Sequence, residues 1–164
     1  MGVVGSGVAS HLFRYVDSIE RKFGTRVEIK KILVRNLSKP RGETIPDSLI
    51  TTNPEEVLRS PELDVIVEVM GGEQPAATYL SDALISGKHV ITANKEVMAK
   101  FGPSLLELAN LNKVRLLFEA SVGGAIPIIG NLSSDLIANK VSSIRGIINA
   151  VSYTHLTLPT IYSV

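Results

Sequence analysis

Val90-Ile-Thr-Ala-Asn-Lys-Glu96 is the stretch whose reading decides the fold. Val90 to Thr92 are all β-branched and suit a buried strand. The run breaks at Ala93-Asn94, and Lys95 opens a segment with helical character. A strand that runs directly into a helix is half of a parallel βαβ unit, and such sheets hold ligands in the crevice beyond their strand C-termini. Lys95 lies where an anionic cofactor or a carbonyl substrate would sit. The plainer reading is a solvated lysine, but the positive end of the helix dipole disfavours a cation in a first turn.

The pattern repeats on both sides. Upstream, Asp64-Val-Ile-Val-Glu-Val-Met70 predicts a central strand running into Gly71-Gly72, and glycines at such a strand end permit close approach of a ligand. Pro75 to Ser86 has helical spacing, and Gly87 stops it. Asn53-Pro54-Glu55-Glu56 marks a helix start, with Asn as cap, Pro at the first position and acids in the first turn. Val27 to Val34 predicts a further strand. Downstream, Lys95 to Leu111 predicts a helix interrupted at Gly102-Pro103, and Lys113 to Phe118 a strand. Pro127 to Ala138 predicts a helix, and Val141 to Asn149 a last strand. Strands alternating with helices predict an α/β fold, a Rossmann-like doubly wound parallel sheet.

Met1-Gly-Val-Val-Gly-Ser-Gly-Val-Ala9 precedes a helical segment marked by Val8, Leu12, Phe13, Val16 and Ile19 and closed by Gly24. Gly2 and Gly5 have the spacing of the second and third glycines of G-x-G-x-x-G, the turn in which backbone amides at a helix N-terminus meet a pyrophosphate. The first glycine and its strand would precede Met1, so the sheet is expected to be incomplete, with its first strand missing. After the Val27–Val34 strand, where an NAD-binding domain usually places an acid for the ribose 2′-hydroxyl, stand Arg35-Asn36, with Lys39 and Arg41 close by. A guanidinium can hold a 2′-phosphate with two parallel hydrogen bonds, which favours NADP over NAD. Glu119-Ala-Ser-Val-Gly-Gly-Ala-Ile126 ends the Lys113–Phe118 strand. On its residues alone it is a tight turn, with a carboxylate and exposed carbonyls of the hard-oxygen kind that bind cations but no ligand-spacing signature.

Composition bounds the rest. The 164 residues are 45% hydrophobic and 20% charged, enough for one domain with a real core. A net charge of +1 makes no case for nucleic acid or an acidic membrane surface. The absence of cysteine excludes disulfides, zinc thiolates and a thiol nucleophile, and fits a cytoplasmic protein. No apolar run reaches bilayer length, and no basic segment of a signal peptide opens the chain.

Taken together and in this order, Gly2-Val-Val-Gly-Ser-Gly-Val8, Val34-Arg35, Val65-Ile-Val-Glu-Val-Met-Gly-Gly72, Val90-Ile-Thr-Ala-Asn-Lys95, Phe118-Glu-Ala-Ser-Val-Gly-Gly-Ala-Ile-Pro127 and Gly146-Ile-Ile-Asn149 resemble homoserine dehydrogenase. The resemblance implies NAD(P)-dependent interconversion of homoserine and aspartate semialdehyde, on the route to threonine, methionine and isoleucine. It implies cofactor contacts at Gly2, Val3, Val4, Gly5, Arg35, Gly71, Thr92 and Lys95, with Lys95 also near the reacting carbonyl. It also implies a monovalent cation, usually sodium, held by the Glu119 carboxylate and the carbonyls of Val122, Gly124 and Ile126. The full-length enzyme is expected to be a homo-oligomer.

The resemblance covers residues 1–149, the expected NAD(P)-binding domain. The family continues G-I-I-N-G-T-T-N-Y, whereas this chain continues Ala150-Val-Ser-Tyr153, so residues 150–164 are expected to be a non-matching tail of foreign origin. The family's substrate-binding region, with a second lysine proposed as proton donor, is absent. The chain alone is therefore expected to show no turnover and to fold weakly. A nucleotide-binding module without chemistry, and another Rossmann oxidoreductase of a small carbonyl compound, are the alternative readings.

Overall fold

In chain order the elements are α1 (Val3–Phe23), β1 (Ile32–Leu33), a short turn of 3-10 helix (Asp47–Leu49), β2 (Ile50–Thr51), α2 (Glu55–Leu58), β3 (Val65–Glu68), α3 (Ala76–Ile85), β4 (His89–Thr92), α4 (Lys95–Leu111), β5 (Leu116–Leu117), α5 (Glu119–Val122) and a π-helical turn (Asn131–Asp135). They come from a computed structural model that describes residues 1–39, 45–124 and 126–143. Every strand pairing among the described residues is parallel. The α/β, Rossmann-like expectation therefore holds, with strands in two groups, β1-β2 and β3-β4-β5. In the larger group Val67 lies beside Ile91 and Glu68 beside Thr92, while Ile91 lies beside Leu117.

This register sorts the side chains by face. Val90, Thr92 and Leu116 point into the core, where they meet Leu80, Ala83 and Leu84 of α3 and Val97, Leu105 and Ala109 of α4. Val65, Val67, Ile91 and Leu117 point the other way and stay exposed. Leu80, Leu84, Val90 and Val97 are fully buried, and each contributes about 1.5–3 kcal/mol by leaving water. The two βαβ units are thus held together chiefly by helix α3 packed between β4 and α4.

The punctuation of the chain behaves as its residue types require. Gly24 closes α1 at φ 71°, donating its N–H to the Glu20 carbonyl at 2.8 Å. Gly87, at φ 75°, ends α3 with paired bonds: its own N–H to Leu84 and that of Lys88 to Ala83. Asn53 accepts the Glu55 N–H at 3.1 Å, as a capping residue before Pro54.

Four expectations need correcting. Helix α4 is not interrupted at Gly102-Pro103; it runs through Pro103 to Leu111. A proline ring clashes with the side chain of the residue before it, and glycine at 102 has none, while Leu105 and Ala109 anchor the following turns in the core. The Val27–Val34 strand shrinks to Ile32–Leu33, extended by one bond from Val34 N–H to the Thr51 carbonyl, because its partner Ile50–Thr51 is equally short. The Pro127–Ala138 helix is reduced to Ile129–Asp135, largely π-helical, with turns to Ala138. Val141 to Ser143 is not in a strand, and the remainder of that expected strand lies outside the described residues, as do Arg41 and the tail.

Candidate cofactor site

The C-terminal ends of β3 and β4 lie side by side, because Glu68 pairs with Thr92 in the ladder. Both residues are buried on the core side: Glu68 is 4% exposed and Thr92 not at all. The Thr92 hydroxyl donates to the Glu68 carboxylate at 2.6 Å and accepts the Asn94 N–H at 2.9 Å. The other Glu68 oxygen accepts the Met70 N–H at 2.6 Å. Asn94 caps α4 by accepting the Val97 N–H at 3.1 Å, and its side-chain amide donates to the Gly72 carbonyl at 2.7 Å. Gly71 and Gly72 both have φ near +73°, at 74° and 73°, a region that side-chain-bearing residues rarely enter.

The glycine turn meets this crevice from the other side. Helix α1 starts at Val3 after Gly2, which offers no side-chain cap, and its first turn carries no acid. Its uncapped amides thus present a site suited to an anion. Gly5 is buried in that turn. A Cβ there would lie 3.2 Å from Val69, the residue after β3, and 2.8 Å from Met1. Absence of a side chain at Gly5 is therefore what lets the helix approach the strand end, the role of the last glycine of the dinucleotide turn. The first turn of α1, which holds Val3, Val4 and Gly5, thus meets the end of β3 just before Gly71, while Thr92 ends the neighbouring β4 and Lys95 opens α4.

Lys95 is the first residue of α4 and is exposed, with no ion pair or side-chain hydrogen bond to the described residues. It stands at the edge of a cavity of about 520 Å³ whose walls include Met98, Gly102, Pro103, Phe118 and Val122.

Arg35 follows Val34 at the end of β1, exposed, as is Lys39, and neither is ion-paired among the described residues. Among the described residues strands β1 and β2 pair only with each other, so no described backbone ladder carries Arg35 to the Gly71 turn.

Glu119 opens α5 directly after β5 and Phe118. Its carboxylate accepts three backbone N–H groups: Ile128 at 2.5 Å and Ile129 at 2.9 Å on one oxygen, Gly130 at 2.7 Å on the other. The amides of Ile128 and Gly130, then that of Ile129, hold this carboxyl below the usual carboxylate range. The oxygen facing Gly130 retains one lone pair, and the Ile126 carbonyl folds to 3.3 Å from where a Gly123 Cβ would be. Glu119 and Val122 bound helix α5, and Gly124 and Ile126 follow it in the turn that brings the amides of Ile128 and Gly130 back to the Glu119 carboxylate. No cluster of three or more metal-binding side chains occurs among the described residues, so any cation here would depend on backbone oxygens.

The low folded-state pKa fixes the sign of a pH effect. The contribution of this carboxylate is fully present above the ordinary carboxylate range and is lost as pH falls through its depressed folded value. On acidification the amide resonances of Ile128, Ile129 and Gly130 should move together, with a midpoint below that of a free carboxylate. In Glu119→Gln that transition should vanish; its persistence would assign it to another group.

Comparison with known proteins gives the family. The family model described as the NAD-binding domain of homoserine dehydrogenase matches residues 1–119. The chain belongs to the homoserine dehydrogenase family. Homoserine dehydrogenase of Bacillus subtilis is 41% identical over 96% of this chain and 36% of its own length. That of Synechocystis is 42% identical over 93% of this chain and 35% of its own length. A crystal structure of the Thiobacillus denitrificans homoserine dehydrogenase superposes with a TM-score of 0.81 at 40% identity, covering 90% of this chain and 34% of that one. A hyperthermophilic archaeal homoserine dehydrogenase in complex with NADPH, 25% identical, superposes with a TM-score of 0.61 over 74% of this chain and 43% of that one. The chain thus spans about a third of the length of the curated relatives it matches, and the matched part is the nicotinamide-nucleotide-binding domain of this oxidoreductase family.

Two members of the site were not singled out from the sequence. Glu68 reads as an ordinary strand-end acid, and Asn94 as a break between strand and helix. Asn94 could have been found: Asn three residues before an apolar Val97 is a helix-cap signal. Nothing in the sequence marked Glu68 as buried.

Proposed function

We propose that this chain is the cofactor-holding part of an enzyme that interconverts L-homoserine and L-aspartate 4-semialdehyde, using NADP in preference to NAD. The observation that carries it is the meeting of the α1 N-terminus, the positive-φ Gly71-Gly72 turn and the Thr92-Asn94-Lys95 corner at the ends of two adjacent parallel strands. The nicotinamide, when bound, supplies a hydride to the aldehyde carbon. The amides of Val3 and Val4 face the pyrophosphate, Gly71 leaves room for the dinucleotide, and the Arg35 guanidinium takes the 2′-phosphate. Lys95 holds a positive charge beside the cavity, where it stabilises charge developing on the substrate oxygen. The principal proton donor belongs to the family's substrate-binding part.

The Glu119 oxygen that accepts only the Gly130 N–H, with the carbonyls of Val122, Gly124 and Ile126, holds a monovalent cation, sodium by family resemblance. Bound there, such an ion would brace the turn between α5 and the π-helical segment Asn131–Asp135. The enzyme serves threonine, methionine and isoleucine synthesis in the cytoplasm as a homo-oligomer without nucleic-acid or membrane partners. No described helix is long and apolar enough to cross a membrane. Residues 1–149 form the cofactor domain, and the departure at Ala150 marks its limit. The Bacillus subtilis match, at 96% of the chain, runs a few residues past that point.

The division of labour is tested by adding aspartate semialdehyde to the 164-residue chain with NADPH. The nucleotide should bind without being oxidised. Semialdehyde-dependent loss of the 340 nm absorbance of NADPH (roughly the reduced nicotinamide band) would place the complete catalytic set in this part.

A further inference from the structure

We propose that Glu68 is a positioning residue of the cofactor crevice, its buried carboxylate fixing the Thr92 hydroxyl and, through Asn94, the Gly71-Gly72 turn against the start of α4. The proposal rests on the cofactor reading above. Glu68 is the last residue of β3 and is 4% exposed. A carboxylate so far from water persists only where donors meet it, and each of its oxygens meets one: the Thr92 hydroxyl and the Met70 N–H.

The direction of the Thr92 hydroxyl bond follows from Glu68. A carboxylate can only accept, so the single Thr92 proton points to it. The Thr92 oxygen then has its lone pairs free for the Asn94 N–H, which it accepts at 2.9 Å. Asn94 in turn spends its side-chain oxygen on Val97 and its amide on the Gly72 carbonyl. The two strand ends, the positive-φ turn and the helix that begins with Lys95 are therefore tied by one set of bonds. Glutamine at 68 keeps the shape but replaces one accepting oxygen by a donor: with its oxygen on the Met70 N–H, its amide donates to the Thr92 oxygen, and the Thr92 proton is left without its acceptor. The turn and the Lys95 end of α4 are then no longer held in one arrangement, and a ligand must supply that ordering itself.

The test compares Glu68→Gln, Thr92→Val and Thr92→Ser with the unsubstituted chain. Fluorescence titrations with NADPH and with NADH give the dissociation constants, and nitrogen-edited NMR follows the Asn94 side-chain amide. Glu68→Gln and Thr92→Val should each weaken both nucleotides by about tenfold. Thr92→Ser, which keeps the hydroxyl, should restore tight binding. The Asn94 amide should shift in the first two variants and not in the third, a signature that general loss of stability would not produce. Unchanged binding of both nucleotides by folded Glu68→Gln would overturn the proposal. If that variant does not fold, equal affinities of Thr92→Val and Thr92→Ser overturn it instead. If the unsubstituted chain binds neither nucleotide, the cofactor reading itself fails and takes this proposal with it.

Discussion

Replacing Arg35 by alanine should weaken NADPH binding by about thirtyfold, roughly 2 kcal/mol, while leaving NADH binding nearly unchanged. Arg35 is exposed at the end of β1 and has no competing ion pair among the described residues, so its guanidinium is available to an external anion. The two nucleotides differ only at the 2′-position, and an arginine fork matches a phosphate with two parallel charge-assisted bonds. Lysine at the same position should recover part of the loss as a point charge without the fork. Parallel fluorescence titrations of Arg35→Ala with both nucleotides check this. Equal loss for NADPH and NADH would mean that Arg35 acts on the fold or on a shared part of the dinucleotide.

The second large effect is on stability. Leu80→Ala should cost about 3 kcal/mol, lowering the thermal midpoint by roughly 10 °C. Leu80 is fully buried on α3, in the cluster that includes Val90 of β4 and Val97 of α4. The same truncation at Leu111, on the exposed end of α4, should stay within about 0.5 kcal/mol. Calorimetry of the two variants beside the unsubstituted chain separates these outcomes. Similar midpoints for both would show that α3 is not the keystone of the βαβ pair. Because Leu80 supports the strand that ends in Thr92, Leu80→Ala should also loosen nucleotide binding near its lowered midpoint.

Much of this architecture is written in local chemistry. The β-branched run at Val90 to Thr92 forms a strand because its alternate residues are buried against α3 and α4, and the neighbouring strand at Val65 to Glu68 follows the same logic. Gly24 and Gly87 stop their helices because each takes a left-handed conformation. The crevice was legible for the same reason: glycines and Lys95 fall where strands end, and parallel strand ends are where such folds open to ligands.

What escaped had no local signal. Strand β2 is only Ile50–Thr51, too short for any period to show. Pro103 looked like an interruption because proline removes a helical donor, yet the missing side chain at Gly102 and the buried turns beyond it outweigh that cost. Glu68 is buried because of what the fold places around it, the Thr92 hydroxyl and the Met70 amide. The Glu119 carboxylate was expected to face a cation; its three amide donors come from residues nine to eleven positions later, a contact that only the folded loop brings about.

The most direct test of the central claim is to map the NADPH site on the chain by nitrogen-edited NMR, titrating the nucleotide and recording which backbone amides move. Saturable shifts are expected at Val3, Val4, Gly71, Gly72 and Lys95, with a further set at Arg35 that NADH does not reproduce. Shifts confined to other surfaces, or none at saturating nucleotide, would contradict the placement of the cofactor at the ends of β3 and β4.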